Sequence, residues 1–485
     1  MDWGEIGKQF LYIEDQPLLF HQGMFLLLFS VFLIGYSFVA RNKSPREYFI
    51  IIFSAYFYYK SSGVFILLLL TTISADYLFS IWLEREENER KRKWILAGAI
   101  LFSLSFLLYF KYKNFFISNY DALSGSKHTL GKLILPIGIS FYTFQSISYL
   151  VDIANRNIKR PVFQNYLMYM MFFPHLVAGP IVRARDFLPQ LTKKFSLRGP
   201  QFNEAFYLIL KGLIKKAIIA DFVAQYADIV FSAPAGFSGS ELILASLCYT
   251  LQIFCDFSGY TDMAIGIALL LGYRLCLNFD SPYKAFDITN FWRRWHISLS
   301  SWLRDYIYIP LGGNQKGFLL QLLFLMVTML VGGFWHGADW KFVFWGAGHG
   351  TLLVLHKLWV KYFGKQFEST WFNGFSWFLT FACVSLLWIP FRAVSMDSTW
   401  EIYKRIFTSV DLGMVWEVMK TNPTLIFLLV VGYASTLLTL DWKVKIVKYV
   451  GKQDLLVKFL LLIFVVQLMI QLRSTVVQPF IYFQF

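Results

Sequence analysis

Charged side chains are what this chain has least of. Asp, Glu, Lys and Arg make up 15% of its 485 residues, where soluble domains carry about 25%. With 57% hydrophobic and 20% aromatic residues and a mean hydropathy of +0.51, the shortage excludes an ordinary water-soluble domain. Cysteine is rare too. Cys248, Cys255, Cys276 and Cys383 lie in or beside apolar stretches with no C-x-x-C spacing, so they read as small buried hydrophobes and not as metal or redox groups. The sequence has no G-x-S-x-G nucleophile elbow and no Walker A or G-x-G-x-x-G phosphate loop. Its histidines lack H-E-x-x-H or other zinc spacing, so no metal is expected. The stretch MDWGEIGKQFLYIEDQP has neither a basic n-region nor an A-x-A site, and no cleavable signal peptide is expected. No internal repeat or low-complexity tract is visible.

Long apolar runs fill the chain instead. Stretches near the ~20-residue spanning length are expected at 20–40, 47–60, 63–83, 94–112, 131–151, 164–182, 204–232, 240–273, 317–336, 340–362, 372–391, 423–441 and 455–473. Those at 164–182 and 204–232 have the character of re-entrant or interfacial segments. Solid runs of this kind exclude a β-barrel, whose strands alternate, and predict an all-α polytopic membrane protein. A single integral membrane domain over 1–485 is expected, with its polar motifs gathered at about 136–362. The net charge of +15 fits loops facing anionic lipid better than nucleic acid. The basic loops RNKSPR (41–46), REENERKRK (85–93) and RNIKR (156–160) alternate in a way that makes them cytoplasmic. The acidic N-terminal tail (Asp2, Glu5, Glu14, Asp15) and a loop at 113–130 then lie outside.

Polar residues gather between Phe172 and His356. In FYLILKGLIKKAIIADF, Lys211 and Lys215 share a helical face, which reads as an interfacial helix with snorkelling lysines, or as a basic wall for an anionic cofactor. In FFPHLVAGPIVRARDFLPQL, Pro174 and Pro180 break an apolar run around His175, which reads as capping a re-entrant turn. In IFCDFSGYTDMAIGIALLLGY, Asp256 and Asp262 at membrane depth must find partners. A satisfied polar network that fixes helix packing is the simplest reading, and a proton relay or a histidine-orienting carboxylate are the alternatives. In ITNFWRRWHISLSSWLRDYIYIPLGGN, tryptophans alternate with Arg293, Arg294 and Arg304, the pattern of a helix lying along the membrane interface. Anchoring does not explain His296. The arginines could also bind phosphates of a nucleotide-bearing donor bidentately.

The strongest lead is FLLQLLFLMVTMLVGGFWHGADW. From Phe318 to Trp335 no side chain is ionisable, and such a run must be helical in lipid. His336 therefore sits at or below the membrane surface, where an ionisable group is a functional hypothesis by default. Beyond it, Gly346 and Gly350 form a G-x-x-x-G helix-packing face, and His349 and His356 read as core or interfacial histidines. A histidine with no serine or cysteine nucleophile beside it points to general-base catalysis without a covalent enzyme intermediate.

Taken together, FFPHLVAGPIVR (172–183), FCDFSGYTDMAIGIALLLGY (254–273), SPYKAFDITNFWRRWHISLSSWLRDYIYIPLGGN (281–314) and GGFWHGADWKFVFWGAGHG (332–350) resemble the membrane-bound O-acyltransferase family, and within it the bacterial alginate O-acetyltransferase branch. The resemblance implies a multi-helix bowl with re-entrant and interfacial helices around a central tunnel. It also implies a catalytic histidine at His336 and a second at His296. No tightly bound cofactor is implied. The implied donor is a cytosolic acyl thioester, acetyl-CoA, which Arg293, Arg294 and Arg304 would bind. The implied acceptor is a hydroxyl of an exported polysaccharide such as alginate or another cell-envelope glycan, reached through an extracytoplasmic acetyltransferase partner. The implied location is the bacterial cytoplasmic (inner) membrane. Imidazole titrates near pH 6.5, so a neutral ring can take a proton from a hydroxyl attacking a thioester. Three other readings compete: D-alanyl transfer to teichoic acid from a carrier-protein thioester, a membrane transporter, and a non-catalytic scaffold. A transporter predicts two related halves with paired broken helices, and no such repeat is seen. A scaffold leaves His296 and His336 without a role.

Overall fold

The structure, a computed structural model, describes residues 7–14, 16–131, 133–364 and 370–472. Asp2, Glu5 and Asp15 of the acidic tail lie outside the described residues, as do positions 132 and 473 at the edges of two expected spans. Among the described residues every regular element is helical and no strand occurs, as the unbroken apolar runs require. Among the described residues five helices are long and apolar enough to cross a membrane, or up to seven if each of two bent pairs counts as one span. The protein is an all-α polytopic membrane protein.

The chain divides into two compact units. The first comprises residues 1–205 and 264–276, the second 206–263 and 277–485. The first is built on phenylalanine. Phe173, from the Pro-broken segment, packs its ring within 6.4 Å of Phe20, Phe25, Phe29, Phe32, Phe53 and Phe57, contacts worth about 0.5–1.5 kcal/mol each beyond area burial. Asp76 is fully buried there. Its carboxylate accepts hydrogen bonds from Ser103 Oγ (3.2 Å), Tyr166 OH (2.9 Å) and Ser146 Oγ. Three hydroxyl donors offset the cost of holding a carboxyl group away from water.

Several expected spans differ from what is observed. The 131–151 stretch becomes helical only at Ile139, and the Ile139–Ala154 helix is buried along almost its entire length. Its apolar residues meet protein, not lipid. Residues 164–182 form only the short helices Phe163–Met171 and Phe173–Leu176, because Pro174 lacks the N–H needed to continue the ladder. The expected loop at 113–130 is largely the helix Lys113–Ser124, joined to Glu89–Leu107 through a π-helical turn at Leu108–Tyr112. No proline or glycine occurs between Leu107 and Ser124 to stop it. Trp82 and Trp94, both more than half exposed, flank the charged turn at 86–88 as interfacial aromatics do.

The Gly239–Leu270 helix, whose residues 264–270 belong to the first unit and the rest to the second, is 89% buried over its apolar window, against 28% for Phe318–His336. The first is a core helix and the second turns most of its surface outward, with Leu319 80% exposed. Phe318–His336 forms a hairpin with Trp340–Phe363. A Cβ on Gly346 would meet the Met329 carbonyl oxygen at 2.5 Å, and one on Gly350 would meet Met326 Sδ at 2.7 Å. The G-x-x-x-G pair is thus the packing face its spacing predicts.

Candidate active site

His336 is the last residue of Phe318–His336. The helix ends because Gly337 turns fully extended, and a Cβ on Gly337 would collide with the Phe342 ring. The next helix starts at once, with the Asp339 carboxylate accepting from the Lys341 backbone N–H at 2.9 Å, a standard N-cap. This tight turn buries the imidazole among Trp335, Trp345 and Phe391, with ring centroids 4.9–5.1 Å away. The residue is 4% exposed.

His296 belongs to the same neighbourhood. Its ring lies 6.3 Å from Trp335 and 4.6 Å from Phe257, so the Trp335 indole touches both histidines. The expected interfacial helix over 288–314 is not one helix. It breaks into Ile288–Arg294, Ile297–Leu303, a π-helical turn at Arg304–Tyr308 and Ile309–Leu311. The break falls on His296, which has φ 41°, a left-handed conformation that costs a non-glycine residue of order 1–3 kcal/mol. Two backbone bonds hold it there: Asp280 N–H to the Arg294 carbonyl and Ile297 N–H to the Asn278 carbonyl, each 2.9 Å. Trp292, Trp295 and Trp302 are buried, so they are not membrane anchors.

Hydrogen bonds also hold the His296 ring. Asn278 Oδ1 accepts from the Ser298 backbone N–H at 3.2 Å, which orients the amide with its oxygen inward. His296 Nδ1 lies 3.1 Å from that oxygen and accepts from the Leu299 N–H at 3.4 Å, capping Ile297–Leu303. His296 lies outside the spanning helices, and desolvation holds its imidazole pKa down to about 3, so the ring is neutral at physiological pH.

Each arginine has its own surroundings. Arg293 is exposed. Arg294 Nε donates to Asn290 Oδ1 at 2.7 Å, and its Nη1 lies 3.6 Å from Asp280. Arg304, also exposed, pairs with Asp305 at 2.6 Å.

The charged residues of the core helix are ion-paired. Asp262 binds Lys211 and Lys215, both at 2.9 Å, so these lysines are partners of a buried carboxylate and do not snorkel. Lys216 is 1% exposed and binds Asp256 and Asp221, both at 2.7 Å. Close approach of two glycines permits this, since a Cβ on Gly259 would meet the Gly212 carbonyl oxygen at 2.9 Å. His175, in the first unit, holds a turn through Nε2 and the Tyr169 carbonyl at 2.9 Å. His356 Nδ1 is 2.9 Å from Thr289 Oγ1 and ties two helices together. Cys276 is exposed and Cys383 half-buried, so only Cys248 and Cys255 act as small core residues. Among the described residues no group of three His, Cys, Asp or Glu side chains could hold a metal.

Lys216, Asn278 and Trp345 were not legible as site residues in the sequence. Lys216 adjoins Lys215 in IKKA, but nothing in one sequence says that it faces Asp256. Asn278 carries no local signal.

The model of the MBOAT, membrane-bound O-acyltransferase, family matches residues 51–387, a stretch that includes both histidines. The chain belongs to this family. It is therefore an acyltransferase of the membrane-bound O-acyltransferase type. It is 35% identical over 419 residues to the peptidoglycan O-acetyltransferase of Helicobacter pylori, covering 80% of this chain and 79% of that protein. It is 39% identical over 341 residues to the probable alginate O-acetylase AlgI of Pseudomonas putida, covering 68% and 67%. The teichoic acid D-alanyltransferase of Streptococcus thermophilus is 26% identical over 350 residues, covering 65% and 80%.

Proposed function

We propose that this membrane-bound O-acyltransferase moves an acetyl group from acetyl-CoA toward hydroxyls of an exported or cell-envelope polysaccharide, with His336 as general base. The observation that carries the reading is His336 itself: an imidazole at the end of a spanning helix, buried, with Trp335 in ring contact with both it and His296. In the proposed step a ring nitrogen of His336 takes the proton from the acceptor hydroxyl. The oxygen forms a bond to the thioester carbonyl carbon, the C–S bond breaks, and the proton passes to the leaving thiolate. The products are an ester and CoA thiol. General-base assistance of this kind contributes roughly 10²–10⁴ in rate. His296, pinned by Asn278, orients the donor or shares the proton.

Relatives named for peptidoglycan and alginate O-acetylation are 35–39% identical, against 26% for the D-alanyltransferase. This supports acetyl over D-alanyl transfer and a glycan acceptor. An extracytoplasmic acetyltransferase as the next acceptor, and the bacterial inner membrane as location, belong to the same proposal. The test incubates the purified protein with radiolabelled acetyl-CoA and peptidoglycan or alginate fragments, comparing wild type with His336→Ala. Label transfer that requires His336 supports the assignment. Full activity of His336→Ala overturns it, and transfer only from a carrier-borne D-alanyl thioester replaces the donor.

A further inference from the structure

His349 and Trp345 lie four residues apart on Trp340–Phe363, and Trp292 comes from Ile288–Arg294. The three rings form one group: Trp345 to His349 4.7 Å, Trp292 to His349 5.1 Å and Trp292 to Trp345 5.7 Å between centroids. His349 is completely buried, Trp345 is 1% exposed and Trp292 9%. Among the described residues no group hydrogen-bonds either indole N–H or either ring nitrogen of His349. Phe291 stacks on the imidazole at 6.1 Å and 7°, which fixes its plane without satisfying its nitrogens. The other face of Trp345 meets His336 at 5.0 Å.

Buried donors left unpaired cost free energy. Three such residues side by side, with Trp345 in contact with the proposed base, form a site organised for a ligand. The chemistry of the lining selects that ligand. Indole N–H groups only donate, and neutral imidazole adds one further donor. The rings around them are uncharged, so nothing there would balance an anion. The fitting partner is a neutral, acceptor-bearing group of the size of a carbonyl.

Resting on the acyl-transfer reading above, we propose that Trp345, Trp292 and His349 form the binding site for the carbonyl oxygen of the acyl thioester and hold its carbon beside His336. As the hydroxyl oxygen adds to that carbon, negative charge grows on the oxygen these donors face, and the same contacts strengthen in the transition state.

The experiment uses the full chain in detergent and two probes, acetyl-CoA and S-ethyl-CoA, a thioether that lacks the carbonyl. Affinities and acetyl-transfer kinetics are measured for wild type, Trp345→Phe, Trp292→Phe and His349→Leu, with Tm for each. Wild type should prefer acetyl-CoA, and each variant should bring the affinity ratio toward one and lower kcat/KM by about tenfold or more. Tm should stay close to wild type, because deleting a donor with no partner offsets the packing lost with the smaller ring. Equal binding of the two probes by wild type, or a wild-type ratio in all three variants, overturns the proposal, and wild-type transfer in the same assay would leave the acyltransferase function standing. Activity loss that tracks a fall in Tm also overturns it, by assigning the rings to packing. Carbonyl-dependent binding without any acetyl transfer would instead sink the donor assignment of the proposed function and leave this site intact. Wild type that binds neither probe overturns both.

Discussion

Two buried polar regions of the second unit treat their polar atoms in opposite ways. Around Gly212 and Gly259, Lys216 faces Asp256 and Asp221 while Lys211 and Lys215 share Asp262. Every charge has a partner. Around Trp345, a fully buried imidazole and two indoles carry polar hydrogens that no described residue accepts. The first region holds charges at great cost and cancels them internally, which is what a structural crosslink between helices must do. The second holds neutral donors, which a core tolerates at lower cost and which keep their capacity for another molecule. Ionisability at membrane depth therefore does not by itself mark the reactive site; unspent hydrogen-bonding capacity is the sharper sign.

The widest gap between the two regions is expected from His336→Ala. Acetyl transfer should fall by about 10²–10⁴ or more, with Tm near wild type, in a thioester-consumption assay on purified protein. Lys216→Met should do the reverse of a catalytic lesion and unfold the protein first. It leaves Asp256 and Asp221 facing each other without a cation, at a cost of about 3–5 kcal/mol read as a fall in thermal midpoint. A stable Lys216→Met variant would break the comparison.

His296 sits between these extremes. Its folded pKa is held down to about 3 against about 6.5 unfolded, so the unfolded chain binds the proton more readily. Its contribution to stability is fully present above pH 6.5 and is lost as pH falls toward 3, about 1.4 kcal/mol of it by pH 5.5. Thermal midpoints from pH 7.5 to 5.5 should show this loss in wild type and less of it in His296→Asn. Asparagine tolerates the left-handed backbone, so that variant should remain folded. Arg304→Gln is expected to have the smallest effect, under about 1 kcal/mol on stability for an exposed pair. A rise in KM for acetyl-CoA, with kcat kept, would give this arginine the phosphate-binding role that its sequence setting suggests and its contact with Asp305 does not.

Much of the fold was legible because lipid leaves few choices. Apolar runs such as Phe318–Trp335 must be helical, and their ends could be read to within a few residues. The exceptions share one cause. Gly239–Leu270 is long and apolar enough to cross a membrane, yet it is buried in protein, as is the apolar Ile139–Ala154, and an apolar run alone does not say which environment it meets. The 288–314 segment showed alternating Trp and Arg, but the break at His296 depends on backbone bonds from Asn278 and Asp280. These lie some sixteen residues earlier, beyond the reach of any local pattern.

The candidate site divides the same way. His336 stood out because nothing ionisable precedes it over the length of a span, and His296 because membrane anchoring gave no reason for a histidine. His349 carried no such mark and read as a core residue. An all-helical membrane protein with two histidines worth testing follows from composition and period, which dictate how a backbone satisfies itself in lipid. Which polar groups cancel one another, and which do not, is set by the packing of the helices. Pairing of Lys216 with Asp256, or the lack of an acceptor for Trp345 and His349, is a property of side chains from different helices and exists only once those helices have packed.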